Sequence, residues 1–367
     1  MEAERPQPRK LSGGRLHLSH GPIDVVLRGW GEPAAVETAY KAVSGRFGSI
    51  LPELCAELPL LRAPVGRAAS PARGSNRSLP HEGGGDLGRT GAVHPGPTRL
   101  PRSPVARRML AACLPFADIF ITPMAAVAGS VADELMAVML AAAELERAYV
   151  NDGGDIAVYC APGMALDIGI AGSFAAGPVP QINGRLHIGH DDGVGGIATS
   201  GARGRSFTLG IADSVTVLAA DAATADAAAT LIANAVAVDH PAIIQQPASA
   251  LSPDSDLGDR LVTVSVGALP RQAVLAALEA GRRRAADYLA RGLIVDAALM
   301  LQGEAISPFA GDAGWVERSD DPTCAQSIIE PVGSALRLTQ PRPEPIQGID
   351  PSGTEKAGRA ATEGMLP

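Results

Sequence analysis

The chain has 367 residues, 46% of them hydrophobic and 19% charged, a globular composition with room for one large domain or two small ones. Its formal charge is −8, and no basic patch interleaved with aromatics appears, which excludes broad nucleic-acid binding. Aromatics make up only 3%, so Ala, Val, Leu and Ile must build the core.

The N-terminal run MEAERPQPRK has no apolar centre and does not read as a signal peptide. Cysteines at 55, 113, 160 and 324 form no CxxC pair. That removes zinc-ribbon and thioredoxin-like motifs and points to reduced thiols in a cytoplasmic protein. An extended run covers Ile23 to Leu27, and a helical pattern starts at Pro33, a residue suited to a first turn, and continues through Phe47. Residues 63–103 are dense in Pro, Gly, Ser and Arg and are expected to form a disordered insertion between residues 1–62 and 104–303. The apolar stretch from Met124 to Leu145 is interrupted by Asp133, Glu134 and Glu144, so it reads as a buried helix and not a membrane span. Helices are expected over 126–147, 224–238 and 271–290. Strands are expected over 148–151, 155–160, 165–170, 206–211, 214–219, 261–266 and 293–301. Residues 304–367 are Pro- and charge-rich and read as a disordered tail. Successive strands without helices between them predict an α+β fold, layered, with a mixed or antiparallel sheet packed by helices.

Four segments could carry chemistry. In Val150-Asn151-Asp152-Gly153-Gly154-Asp155-Ile156 the adjacent glycines can bring backbone N–H groups to a phosphate, although Asx-Gly pairs are also the commonest hairpin signal. Gly195-Gly196-Ile197-Ala198-Thr199-Ser200-Gly201 offers small residues and two hydroxyls, or simply a polar loop. The helix Ala225–Asn234 is apolar except for Asp226, Thr230 and Asn234, which share one face at i, i+4, i+8. Oxygen ligands at that spacing suit a hard cation such as Mg²⁺; the plainer alternative is a helix-dipole Asp with two solvent-facing polar residues. Pro123 to Asp133 could present a helix N-terminus to an anion, or be a tight Ala/Gly helix with Ser130 and Asp133 as a capping pair. His187 and His190 are three apart in an expected hairpin, on opposite faces, which disfavours a metal there.

The order VNDGGDI, IATSG, SVTVLAADAATADAAAT resembles the ApbE-type FAD:protein FMN transferases, which carry a GGD loop, an ATSG loop and a helix with Asp and Thr four apart. AVAGSVAD is similar to their KGYAVD element. GPIDVVL, LPLLRAPVG, VARRML, PMAAVAGSVADE, NAVAVDHP and SDLGD resemble a branch of that superfamily whose members are mostly called uncharacterised ApbE-like proteins. The resemblance covers roughly residues 15–303 without the insertion. It implies an ApbE-like fold with Asp226 and Thr230 as catalytic Mg²⁺ ligands. It places Asn151, Gly153, Gly154 and Asp155, with Ala198, Thr199, Ser200 and Gly201, around FAD or FMN, and Asp133 at the KGYAVD aspartate. Ala128 stands at that element's lysine position, and no His-containing segment follows ATSG.

Two functions follow from the resemblance: Mg²⁺-dependent transfer of FMN from FAD to an acceptor hydroxyl, or flavin or nucleotide binding by an accessory protein without turnover. The implied partners are a flavin nucleotide and an acceptor protein, with room for a homo-oligomer and no membrane.

Overall fold

A computed structural model describes residues 6, 8–65, 100–173, 181–202, 204 and 206–307. Most of the expected insertion and nearly all of the expected tail therefore lie outside the described residues. The elements in chain order are Arg9–Leu11 (β1), Arg15–His20 (β2), Ile23–Trp30 (β3), Pro33–Leu61 (α1), Pro104–Cys113 (α2), Val127–Ala142 (α3), Arg147–Asp152 (β4) and Asp155–Cys160 (β5). Then come Ala165–Ser173 (β6), Gln181–Gly189 (β7), Gly196–Ser200 (β8), Ser214–Ala219 (β9), Ala222–Ala235 (α4), Ile243–Pro247 (β10), Ala248–Leu251 (α5), Leu261–Val266 (β11), Arg271–Ala290 (α6), Asp296–Leu301 (β12) and Glu304–Ile306 (β13).

Nine strands form one sheet in the order β1-β2-β3-β4-β5-β8-β9-β12-β13, and every pairing is antiparallel. The fold is α+β. Period-2 alternation sends successive side chains to opposite faces, and the two faces are covered differently. On one, Leu16, Leu18, Val25, Leu27, Val150 and Ala157 pack with α1, α2 and α3. On the same face Ala198, Val215, Val217, Ala297 and Leu299 pack with α4 and α6. On the other, Tyr149, Val158, Cys160, Ile197 and Leu218 meet Leu166, Leu186 and Ile188 of the β6–β7 hairpin.

Helix α1 runs to Leu61, well past Phe47, with Pro52 and Pro59 inside it. Burial overrides propensity here: Ala39, Tyr40, Val43, Phe47, Ile50, Leu54 and Leu61 form a continuous buried stripe at helical spacing. Helix α3 ends at Ala142, five residues before its expected limit. The 20-residue stretch Pro123–Ala142 is long and apolar enough to cross a membrane, but half of it is buried inside this fold.

The expected strand over 206–211 is irregular, because Gly210 lies against the backbone of Ala233, where a Cβ would stand 1.9 Å from its oxygen. Residues 304–306, expected in the tail, complete the sheet by pairing Leu301↔Glu304 through Leu299↔Ile306. Val65, expected in the insertion, is buried and donates its N–H to the Ile121 carbonyl at 2.8 Å.

Candidate functional site

Helices α3 and α4 meet at their N-terminal ends. A Cβ on Gly129 would stand 2.2 Å from the Ala222 oxygen, so only glycine admits this approach. Each helix then caps the other. Asp133 on α3 accepts the Ala222 N–H at 3.0 Å and the Ala223 N–H at 2.9 Å, at the start of α4. Asp226 on α4 accepts the Gly129 N–H at 3.1 Å, at the start of α3, with the Ala128 N–H also bonded to it. These are orphan N–H groups of a helix first turn, and carboxylates suit them. The Ser130–Asp133 capping pair, one of the two alternatives the sequence left open, does not form: the Ser130 hydroxyl is buried without a partner among the described residues and Asp133 serves the neighbouring helix.

Burial pushes the Asp133 carboxyl up to about 6, with the two N–H bonds pulling the other way. Burial also drives the Asp226 carboxyl well above the usual range, and the charges of Asp155 and Asp152 raise it further. Three carboxylates thus act on one another at the mouth of two helix N-termini. Cys113, fully buried nearby, has its thiol pushed up by burial and by Asp226, so it is no thiolate nucleophile.

The β4–β5 turn explains why Asp152 and Asp155 are close. Gly153 (φ 68°) and Gly154 (φ 119°) form a two-residue hairpin turn that pairs Asp152 with Asp155. Asn151 Oδ1 accepts the Gly154 N–H at 2.9 Å. The glycines thus serve the turn; Gly154 also has open space around it. Both aspartates share the helix-covered face with Val150 and Ala157.

The ATSG segment is a strand end, not a loop: Gly196–Ser200 is β8. Asp155 Oδ1 accepts the Thr199 N–H at 3.3 Å, so the GGD and ATSG segments do meet. The strand divides the ATSG side chains, however. The Ala198 methyl is buried in the helix-side core. The Thr199 hydroxyl bonds the Thr216 hydroxyl at 3.0 Å, on the face shared by Ile197 and Leu218. Its hydroxyl is therefore on the far side of the sheet from Asp226, and only Ser200 keeps a hydroxyl on the helix side. Gly201 lies where a Cβ would stand 2.5 Å from the Asp213 oxygen, so chain packing demands it.

The stripe on α4 also divides. Asn234 Oδ1 accepts the Leu209 N–H at 2.9 Å and the Thr208 hydroxyl at 3.1 Å, which is a structural role. Thr230, half-buried one turn from Asp226, makes no hydrogen bond among the described residues. Asp226 thus sits at the start of α3, close enough to Asp155 and Asp152 to feel their charge, with Thr230 one turn further along α4. Asp152 was not singled out from the sequence; the pairing of a two-residue turn is the signal that would have found it. Among the described residues no three His, Cys, Asp or Glu side chains are grouped to hold a metal by themselves. His187 pairs with the exposed Asp167 at 2.9 Å, and His190 bonds the Cys160 carbonyl at 2.8 Å.

A family model described as "AbpE bacteria" matches residues 8–78 and 89–307. A UPF0280 protein of Methanothrix thermoacetophila is 36% identical over 137 residues, covering 37% of this chain and 54% of that protein. One from Methanopyrus kandleri is 33% identical over 183 residues, covering 48% of this chain and 70% of that protein. The chain therefore spans about half the length of the first of these relatives. The apo flavinyl transferase ApbE of Pseudomonas stutzeri is 12% identical and covers 84% of this chain and 96% of its own, with a TM-score of 0.34, which fixes no residue correspondences. With the family model spanning most of its length, the chain belongs to the AbpE bacteria family, within the ApbE-like superfamily and beside the UPF0280 proteins.

Proposed function

We propose that the mouth between α3, α4 and the ends of β4, β5 and β8 binds the phosphates of a flavin nucleotide together with Mg²⁺. The observation that carries this reading is that the Asp226 carboxyl, taken by burial well above the usual range, is raised further by the charges of Asp155 and Asp152. A divalent cation would reverse that repulsion. The side chains proposed to hold it carry oxygen donors only, the ligand type that a hard cation takes together with waters and phosphate oxygens. Asp226 and Thr230 would hold it, and the bound cation would supply charge neutralisation on a pyrophosphate.

The residues of the chain supply the rest. The Gly129 and Ala128 N–H groups fix the Asp226 carboxylate in place. Asp155 is oriented by the Thr199 N–H. Ser200 and the Gly153 backbone N–H are the donors proposed for a phosphate, the Gly154 N–H being taken by Asn151. In the transfer reaction an acceptor hydroxyl oxygen bonds to the FMN phosphorus, the bond to the AMP phosphate breaks, and the hydroxyl proton passes to solvent. A second reading, nucleotide binding by an accessory protein without turnover, is favoured by Ala128, which offers no cationic side chain where the resemblance has lysine. FAD titration with and without Mg²⁺ tests the site, and AMP release separates the two readings. Mg²⁺-independent binding that survives Asp226→Asn would refute both.

A further inference from the structure

On the other face of the sheet, β3 and β4 set Arg28 opposite Tyr149 and Trp30 opposite Arg147. The result is a checkerboard of two guanidinium and two aromatic side chains. The Arg28 Cζ lies 4.3 Å and the Arg147 Cζ 5.1 Å from the centroid of the same Trp30 ring. The Trp30 and Tyr149 rings are 5.9 Å apart. Arg147 donates one N–H to the Ala165 carbonyl at 3.2 Å, tying the cluster to the hairpin.

Stacking on an indole explains one guanidinium. It does not explain two like charges on one ring with no carboxylate against either among the described residues. Two buried donors are also unmet among the described residues, the Arg147 Nε–H and the hydroxyl of Tyr149, which is only 7% exposed. Buried donors left without an acceptor lose their water without replacement, and both lie in the same cluster. What the cluster lacks, among the described residues, is an acceptor for these two donors and a counter-charge for the guanidiniums.

We propose that Arg28, Arg147 and Tyr149 form a second site, for a phosphate-type oxyanion, on the face of the sheet opposite the carboxylates. A tetrahedral dianion has enough oxygens to accept from two guanidinium forks and a phenol at once, whereas a carboxylate has only two. The site needs no cation and is independent of the function proposed above.

Trp30 is the natural reporter, because the chain has two tryptophans and the other is Trp315. In the full-length Trp315→Phe protein, inorganic phosphate is titrated at constant ionic strength against chloride, with the metal chelated. A saturable change in Trp30 fluorescence with phosphate and none with chloride is expected. Arg28→Gln and Arg147→Gln should each weaken it at least ~10-fold, while Asp226→Asn leaves it unchanged. Arg28 makes no hydrogen bond to the hairpin among the described residues, so Arg28→Gln carries the test if Arg147→Gln unfolds the protein. Competition by AMP would identify a nucleotide phosphate as the source; its failure would identify free phosphate. No saturable change, or equal binding by Arg28→Gln and the parent, would overturn the proposal and leave the cluster as a clamp on the β6–β7 hairpin.

Discussion

The two faces of the central sheet carry opposite chemistry within the same few residues. Val150 and Asp152 turn toward the helices, Tyr149 and Asn151 toward the hairpin side. The helix side gathers carboxylates at two helix N-termini, while the other side gathers guanidiniums on an indole. Strand alternation is the cause: residues adjacent in sequence are sorted to different solvents and different ligands. The lesson is sharpest at Thr199, which sits inside a motif associated with one site while its hydroxyl belongs to the opposite face.

The largest expected effect is on the helix side, where α3 and α4 touch through backbone. Gly129→Ala should lower stability by about 3 kcal/mol, because the new methyl meets the Ala222 carbonyl and neither backbone can yield. Urea unfolding measures this. A loss under about 1 kcal/mol would mean that the two helices can part and that the reciprocal capping is not rigid.

Asp133 comes next. Asp133→Ala leaves the Ala222 and Ala223 N–H groups without their acceptor and should cost about 2 kcal/mol. Its pH signature has a definite sign. The folded-state value is raised to about 6 from the ordinary 3.8, so the folded protein binds the proton more tightly than the unfolded chain. This contribution is fully present below the unfolded value and is lost as pH rises through the folded one. Melting temperatures across that window should fall with rising pH in the wild type, and the fall should shrink in Asp133→Asn.

Asp226→Asn tests the central site with a smaller change in stability and of opposite sign. The amide oxygen can still accept the Gly129 N–H, and a buried charge facing Asp155 and Asp152 is gone. Without divalent cation, thermal stability above neutral pH should rise by about 1 kcal/mol. Mg²⁺-dependent FAD affinity should fall at least ~10-fold. A variant that is less stable yet binds normally would make Asp226 a helix cap and nothing more.

The smallest effect separates the faces most cleanly. Thr199→Val should cost about 0.5–1 kcal/mol through the lost Thr216 bond and leave Mg²⁺-dependent binding intact. Ser200→Ala should do the reverse, with little change in melting temperature and weaker binding by calorimetry.

Much of this architecture was legible in the sequence. The α+β class followed from strands in succession, and the Asp226/Thr230 stripe from helical spacing on an apolar helix. The meeting of GGD and ATSG followed from their order along the chain. What was not legible depends on contacts between distant segments. Gly129 and Gly196 look like flexible residues until the helix they touch is known; a Cβ on Gly196 would stand 2.1 Å from the Ala222 nitrogen. Asp133 looks like a residue of its own helix until its oxygens are seen on the next one. Thr199 was assigned to a loop, where hydroxyls can turn to a ligand, and proved to be in a strand, where the pleat decides its direction. The Arg28–Trp30–Arg147–Tyr149 cluster is spread over 122 positions of sequence, and only the β3–β4 register assembles it.

The account turns on the raised proton affinity of Asp226, which a cation bound beside it would lower. The most direct measurement is calorimetric titration of Mg²⁺ into the protein–FAD mixture near neutral pH, in two buffers of different ionisation heat. If Asp226 gives up its proton to the cation, the heats differ between buffers by the proton release that accompanies binding, and Asp226→Asn abolishes the difference. Equal heats in both buffers, or the same release from Asp226→Asn, would contradict the account.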